Sequence, residues 1–265
     1  MNLEAPIYGL PAHIENTATA LAALGAAGSL IFCVRRALRH RSPLALYLFL
    51  GGAATIWIEP FPDTLGHAIF AQVDRIPWVS ALDRHIPAYI GLTHMFYLAP
   101  AYLWMVTTFE KGITPRRFGQ FCAVMVTATF AFEFVPLHYD LWRYYGPQGL
   151  QVGDMPIWWG FTNSHGIIGA GVIISLLLKV IPANRRFVLV PVIPVLFLAA
   201  HTAGATLGYL ALNSTTDPTV ATLGTLGTCG LITVLFWLYS KAVCRPATEP
   251  GHAAAPSEPA FVTTG

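Results

Sequence analysis

Residues 32–63 read FCVRRALRHRSPLALYLFLGGAATIWIEPFPD: a cluster of four arginines, an uncharged run from Leu44 to Ile58, then an acid followed by two prolines. A run of about 20 apolar residues crosses a bilayer as helix, and 44–59 is a short version of one. Lys and Arg collect on the cytoplasmic ends of such crossings, so Arg35, Arg36, Arg39 and Arg41 mark the inner end. Glu59 then marks the outer end, where Pro60 and Pro62 remove backbone donors and break the helical ladder. This stretch therefore predicts one membrane crossing with a basic inner end and an acidic outer one.

The same unit recurs outward along the chain. Apolar runs at 17–34, 88–109, 118–135, 156–179, 187–210 and 219–241 join 44–59, which predicts an all-α, seven-helix transmembrane bundle. With 55% apolar and 11% charged residues in 265, and a mean hydropathy of +0.57, a soluble domain is excluded. Lys111, Arg116, Arg117, Lys179, Arg185, Arg186, Lys241 and Arg245 fall on the same side as the first four arginines. Of the 15 Lys and Arg, only Arg75, Arg84 and Arg143 are left for the other side. The N-terminus is expected outside and the C-terminus in the cytoplasm, in a bacterial cytoplasmic membrane. The net charge of +2 is then a topology signal, and the bilayer, not nucleic acid, is the expected partner.

Residues 1–242 read as one membrane domain. Residues 243–265, rich in Pro and Ala, read as a disordered cytoplasmic tail. Residues 1–16 hold Glu4 and Glu15 and no Lys or Arg, so they lack the basic start of a cleaved signal peptide, and the first helix is expected to stay in place. The four cysteines form no CxxC pair, so neither a disulfide framework nor a thiolate metal site is indicated.

Under this topology every acid except Glu110, Glu249 and Glu258 lies outside or toward the outer helix ends. Three stretches carry the concentration: WIEPFPDTLGH (57–67), FEFVPLHYDLWRYYGPQ (132–148) and PIWWGFTNSH (156–165). Ionisable groups at membrane depth are costly, and broken backbone there is tolerated where it lines a cavity. A cavity open toward the outer leaflet follows. Each residue also has a plainer reading. Trp142, Tyr144, Tyr145, Trp158 and Trp159 suit an interfacial aromatic belt; His67, His85, His138 and Asp140 suit a solvated loop, as do Asp74, Arg75, Asp83 and Arg84. His94 and His201 suit satisfied core histidines, and Asn163 suits a polar link between helices. Glu59 and Glu133 sit among apolar residues and must be paired, protonated or functional.

A carboxyl group in a low-dielectric cavity holds its proton to higher pH and can serve as a general acid, while a second carboxylate or a His takes a proton elsewhere on the substrate. That apparatus suffices for dehydration, ketal formation or cation-driven cyclisation without a cofactor, and aromatic faces stabilise the developing positive charge. Glu59 is the leading acid or base, with Asp63 or Glu133 as complement. His67, His94, Tyr144, Tyr145, Trp158, Trp159, Asn163 and His201 are candidate substrate-binding residues. No Lys lies mid-way along the last helix, which excludes a retinal protein, and there is no HExxH or histidine box. Two alternatives stay open: a non-catalytic protein that binds or moves a lipophilic ligand, and a seven-helix zinc hydrolase using His67, His94, His165 and His201 with Glu59 or Asp63. The lack of a visible two-fold repeat weighs against a secondary transporter.

The same three stretches resemble the AveC-like spirocyclase family of actinobacterial membrane proteins. The resemblance runs from about residue 51 to about 213 in consistent order: Glu59, Pro60, Asp63 and Leu65-Gly66-His67; Arg84, Ile86 and Pro87; Glu133 before Tyr144-Tyr145-Gly146-Pro147-Gln148; and Pro156, Trp158, Trp159 and Asn163. It implies a cofactor-independent enzyme that dehydrates and cyclises a hydrophobic oxygenated substrate such as a polyketide or terpenoid. His138, His165 and the tail lie outside the family's pattern.

Overall fold

The computed structural model describes residues 4–71 and 77–244. Asp74, Arg75, Arg245 and all but the first two residues of the expected tail lie outside them.

Each of the seven apolar runs is helical, and the segment expected as a loop at 60–87 carries structure of its own. α1 spans Ala12–His40. α2, Leu44–Ala54, tightens into a 3-10 turn at Thr55–Ile58 and is followed by a short α3, Pro60–Gly66. Strands β1 (Ala68–Phe70), β2 (Val79–Ala81) and β3 (Arg84–Ile86) precede α4 (Ala88–Lys111) and α5 (Pro115–His138). Strands β4 (Trp142–Tyr144), β5 (Gln151–Val152) and β6 (Met155–Pro156) lead to α6 (Ile157–Val180), α7 (Leu189–Ser214) and α8 (Pro218–Val243).

Five helical segments among the described residues are long and apolar enough to cross a membrane: α1, α5, α6, α7 with its preceding 3-10 turn, and α8. A sixth crossing results if α2 and α3 count as one broken span, bent by 45°. The bend falls at Glu59, where the Pro60 ring and the missing amides of Pro60 and Pro62 end one ladder and start another. α4 equals α5 and α6 in length but has no continuous stretch as apolar as theirs, since His94 and three tyrosines are spread along it. The molecule is thus mostly helical, with a composition compatible with an integral membrane protein.

α6 is the axis of the bundle. Of its most apolar stretch 72% is buried, against 17–22% for α1, α5 and α8. It packs on α4, α5, α7 and α8. Small residues along it let the neighbours close in, with Gly169 against Ala200 and Tyr239 and Gly171 against Met105. α1, α5 and α8 instead turn large apolar side chains outward, among them Leu24, Val124, Val135, Leu223 and Trp237. These are faces suited to lipid.

The expected outer end of the bundle is closed by a cap. β1 pairs antiparallel with β4, setting Ala68 opposite Tyr144 and Phe70 opposite Trp142. β2 and β3 form a hairpin whose turn residues, Leu82 and Asp83, both have positive φ (54° and 56°), the geometry that matches the twist of paired strands. Tyr8 donates to the Ile69 carbonyl (3.0 Å) while the Arg143 guanidinium lies 4.2 Å above its ring, and Tyr89 donates to the Leu141 carbonyl (2.6 Å).

Candidate functional site

The cap draws the three polar stretches together through backbone and side-chain bonds that the sequence spacing does not reveal. The amide of Tyr145 donates to the His67 carbonyl (2.9 Å), and the Gln148 amide donates to the Gly66 carbonyl (3.1 Å) and back to the Tyr145 carbonyl (2.7 Å). YYGPQ is therefore docked on LGH. Arg84, read from sequence as an ordinary loop charge, is buried and donates to the Tyr145 hydroxyl (2.6 Å), because the β2–β3 hairpin turns it inward. The Tyr145 ring stacks on His67 at 5.0 Å. Burial holds the His67 imidazole below its ordinary pKa, with Asn213 opposing and Arg84 adding to the effect, so it is neutral near pH 7. Asn213, from the end of α7, donates to the Leu65 carbonyl (2.7 Å) and so fixes α3 from the other side.

Beneath the cap lies a cavity of about 320 Å³. Eight of the candidate residues line it: Glu59, Asp63, His94, Glu133, Tyr144, Trp159, Asn163 and His201. Three do not. His67 and Tyr145 sit above it in the cap, and Trp158 stands behind Trp159, 4.9 Å between ring centres, with its edge against Tyr209. No Lys or Arg is among the lining residues. The sequence did not point to Thr93, Tyr97 and Phe197, which also line it, or to Tyr209, which supports it; these are ordinary apolar-helix residues until the helices are placed.

One side of the cavity is a directed hydrogen-bond chain. Glu133, 5% exposed near the outer end of α5, accepts from Trp142 Nε1 (2.8 Å) and the Tyr144 hydroxyl (2.9 Å) on one oxygen, and from Asn163 Nδ2 (3.0 Å) on the other. Asn163 has then committed its amide group, so its Oδ1 accepts from His201 Nε2 (3.1 Å). His201 Nδ1 is left as an acceptor for the Tyr209 hydroxyl (3.0 Å). Protons point from Tyr209 through His201 and Asn163 to Glu133. Tyr144, on β4, is held protonated as a donor, its pKa raised well above the usual value by burial and then by the Glu133 carboxyl.

The opposite side has a different pattern. The Thr55 hydroxyl donates to the Gly52 carbonyl (2.5 Å), so its oxygen accepts from His94 Nδ1 (3.1 Å), which must carry the hydrogen. His94 Nε2 faces Glu59 Oε2 at 3.5 Å. One proton is needed between those two atoms, and either can hold it. Asp63 follows one turn later on α3, 4% exposed, with Oδ2 buried and without a hydrogen-bond partner. A buried acceptor left open in a cavity wall is positioned for something the cavity receives.

The four histidines of the zinc reading do not converge. His165 lies outside the lining, bonded to Tyr239 (2.9 Å) and stacked on its ring, and among the described residues no three His, Cys, Asp or Glu side chains gather as a metal-ligating group. His138 and His85 are exposed, and Asp140 pairs with Arg143 in solvent (2.7 Å), the solvated roles expected of them.

Gly66 shows how tightly the motifs interlock. A Cβ at this position would run into the Trp159 ring, itself packed between Trp158, Tyr144 and His201. Gly66→Ala is expected to destabilise by about 1–3 kcal/mol through overpacking. A lowered melting temperature in detergent checks it.

The chain matches no family model, no curated protein and no solved structure. The likeness to AveC-like spirocyclases rests on the motifs quoted above.

Proposed function

We propose that this chain is a membrane-embedded, cofactor-independent cyclase or dehydratase of the spirocyclase type. α4 adds a further crossing to give seven, with the N-terminus outside and the C-terminus in the cytoplasm of a bacterial inner membrane. The observation that carries the reading is the convergence of Glu59, Asp63 and Glu133 on one largely apolar cavity without a lining cation. Such a wall disfavours anionic ligands and suits a neutral, oxygenated, hydrophobic one such as a polyketide or terpenoid.

In the proposed reaction a first hydroxyl of the substrate adds to its ketone to form a hemiketal, the Glu59–His94 pair delivers its proton to the hemiketal hydroxyl, and water departs as an oxocarbenium ion forms. Glu133, held as an acceptor by three donors, and the rings of Tyr144 and Trp159 lie along the same cavity to stabilise that charge. A second hydroxyl of the substrate closes the ring, and its proton passes to Asp63. The product equals the substrate less one water. The resemblance supports the same chemistry independently of the geometry.

The same acids and rings would also hold a lipophilic amine without turning it over, which is the second reading. Lipid extracts of cells with and without the gene separate the two. An enzyme leaves a new species lighter by one water, whereas unchanged extracts together with amine binding to the purified protein would support the binder.

A further inference from the structure

The cavity is closed above by the cap, yet some of its lining side chains are exposed on the side of the bundle. Phe96 on α4 is 47% exposed and Phe132 on α5 is 50% exposed, and both line it together with Thr93, Tyr97, Met125 and Ala128. α4 and α5 follow one another in the chain through a short connection at 112–114, but they diverge. α4 packs on α1, α2 and α6 and α5 packs on α6 and α8, while the two meet each other through aromatic rings toward their expected inner ends, Trp104 on Phe121 (4.4 Å) and Phe109 on Phe118 (5.9 Å). The open seam runs along α5 from Met125, near the helix midpoint, to Phe132 beside Glu133, a rise of about 10 Å at 1.5 Å per residue. That stretch belongs to a helix apolar enough to cross the membrane, so the seam faces hydrocarbon rather than water.

We infer that the α4–α5 seam is a lateral portal through which a neutral amphiphile passes from the bilayer, placing its oxygenated end at Glu59, Asp63 and Glu133 and its apolar end between Phe96 and Phe132. This deepens the proposed function by naming the substrate's physical class and route. Burial sets the orientation: among the lining residues Asp63, Glu133, His94 and His201 are buried, whereas Phe96 and Phe132 at the seam are half exposed. Apolar seams between helices are also where a membrane-dissolved ligand avoids exposing its tail to water.

The test uses the full-length protein in phosphatidylcholine vesicles and a long-chain fatty alcohol with an alkyl diazirine next to its hydroxyl. On illumination the probe loses N2 and alkylates nearby carboxyls, and peptide mass spectrometry locates the adduct. Labelling of Glu133 or Glu59 is expected in the wild type, lost in Ala128→Trp and Thr93→Phe, and retained in Val124→Trp, whose side chain is exposed on α5 but outside the lining. Unchanged labelling in a folded Ala128→Trp protein would overturn the portal. So would a wild type that labels with a short water-soluble diazirine diol and not with the fatty alcohol. This second comparison needs no variant, so misfolding of a blocked protein leaves the proposal testable. Labelling reads access alone: a labelled cavity in cells that form no product would leave the portal standing and remove the cyclase.

Discussion

Glu59→Gln is expected to fold and to insert as the wild type does, and to lose about 10²- to 10⁴-fold of its turnover, the range over which a positioned acid or base contributes. The geometry separates these two outcomes. Thr55 forces a hydrogen of His94 onto Nδ1, so that when Glu59 holds the shared proton Nε2 faces it as a lone pair. A carboxamide at position 59 can donate an N–H to that lone pair, so shape, volume and the contact survive. What it cannot do is release a proton to a substrate and take one back. Thr55→Val tests the same logic from the other side: it removes the acceptor that fixes the His94 tautomer, so turnover falls while Glu59 is intact. Product formed per unit of membrane protein, read from lipid extracts, measures both. Wild-type turnover in Glu59→Gln would sink the assignment of Glu59 as acid.

How much of this was visible in the sequence depends on the kind of information each feature needs. The apolar runs were legible because a helix that meets lipid must be apolar over its length, whatever its neighbours are. Glu59 and Glu133 stood out because a carboxyl in such a run has no bland place to go. Arg84 reads as a loop charge because its burial depends on a hairpin, whose turn at Leu82 and Asp83 lacks the Asn-Gly or Asp-Gly pair that marks such turns. α3 and β1 were hidden in a segment read as loop because elements of 7 and 3 residues lack a measurable period. Trp158 and Trp159 looked equivalent as neighbours, but successive helical residues point about 100° apart, and only Trp159 reaches the cavity. The pairing of YYGPQ with LGH lies beyond any local reading, since it joins residues some 80 positions apart.

Glu133 offers the largest expected effect on stability, and two substitutions divide its roles. Glu133→Ala removes the acceptor of Trp142 Nε1, the Tyr144 hydroxyl and Asn163 Nδ2 together, leaving three inward donors unsatisfied. At about 1–3 kcal/mol for each buried donor left without a partner, that loss rivals the whole stability of many domains. The expected result is a protein that fails to accumulate in the membrane or melts far below the wild type. Glu133→Gln should be much milder, because the chain beyond it can reverse. With its oxygen kept toward Trp142 and Tyr144, the new carboxamide presents an N–H to Asn163. Asn163 rotates its amide to accept it and donates to His201 Nε2, and His201 must then carry its hydrogen on Nδ1. The reversal predicts a spectroscopic signature as well as a melting temperature: nitrogen NMR of labelled histidine should show His201 protonated at Nε2 in the wild type and at Nδ1 in Glu133→Gln. Turnover should be lost in both variants, since the amide supplies no negative charge to a developing cation. A Glu133→Ala protein as stable as the wild type, or an unchanged His201 tautomer in a folded Glu133→Gln protein, would show that the chain from Tyr209 to Glu133 is not the continuous directed network its distances describe.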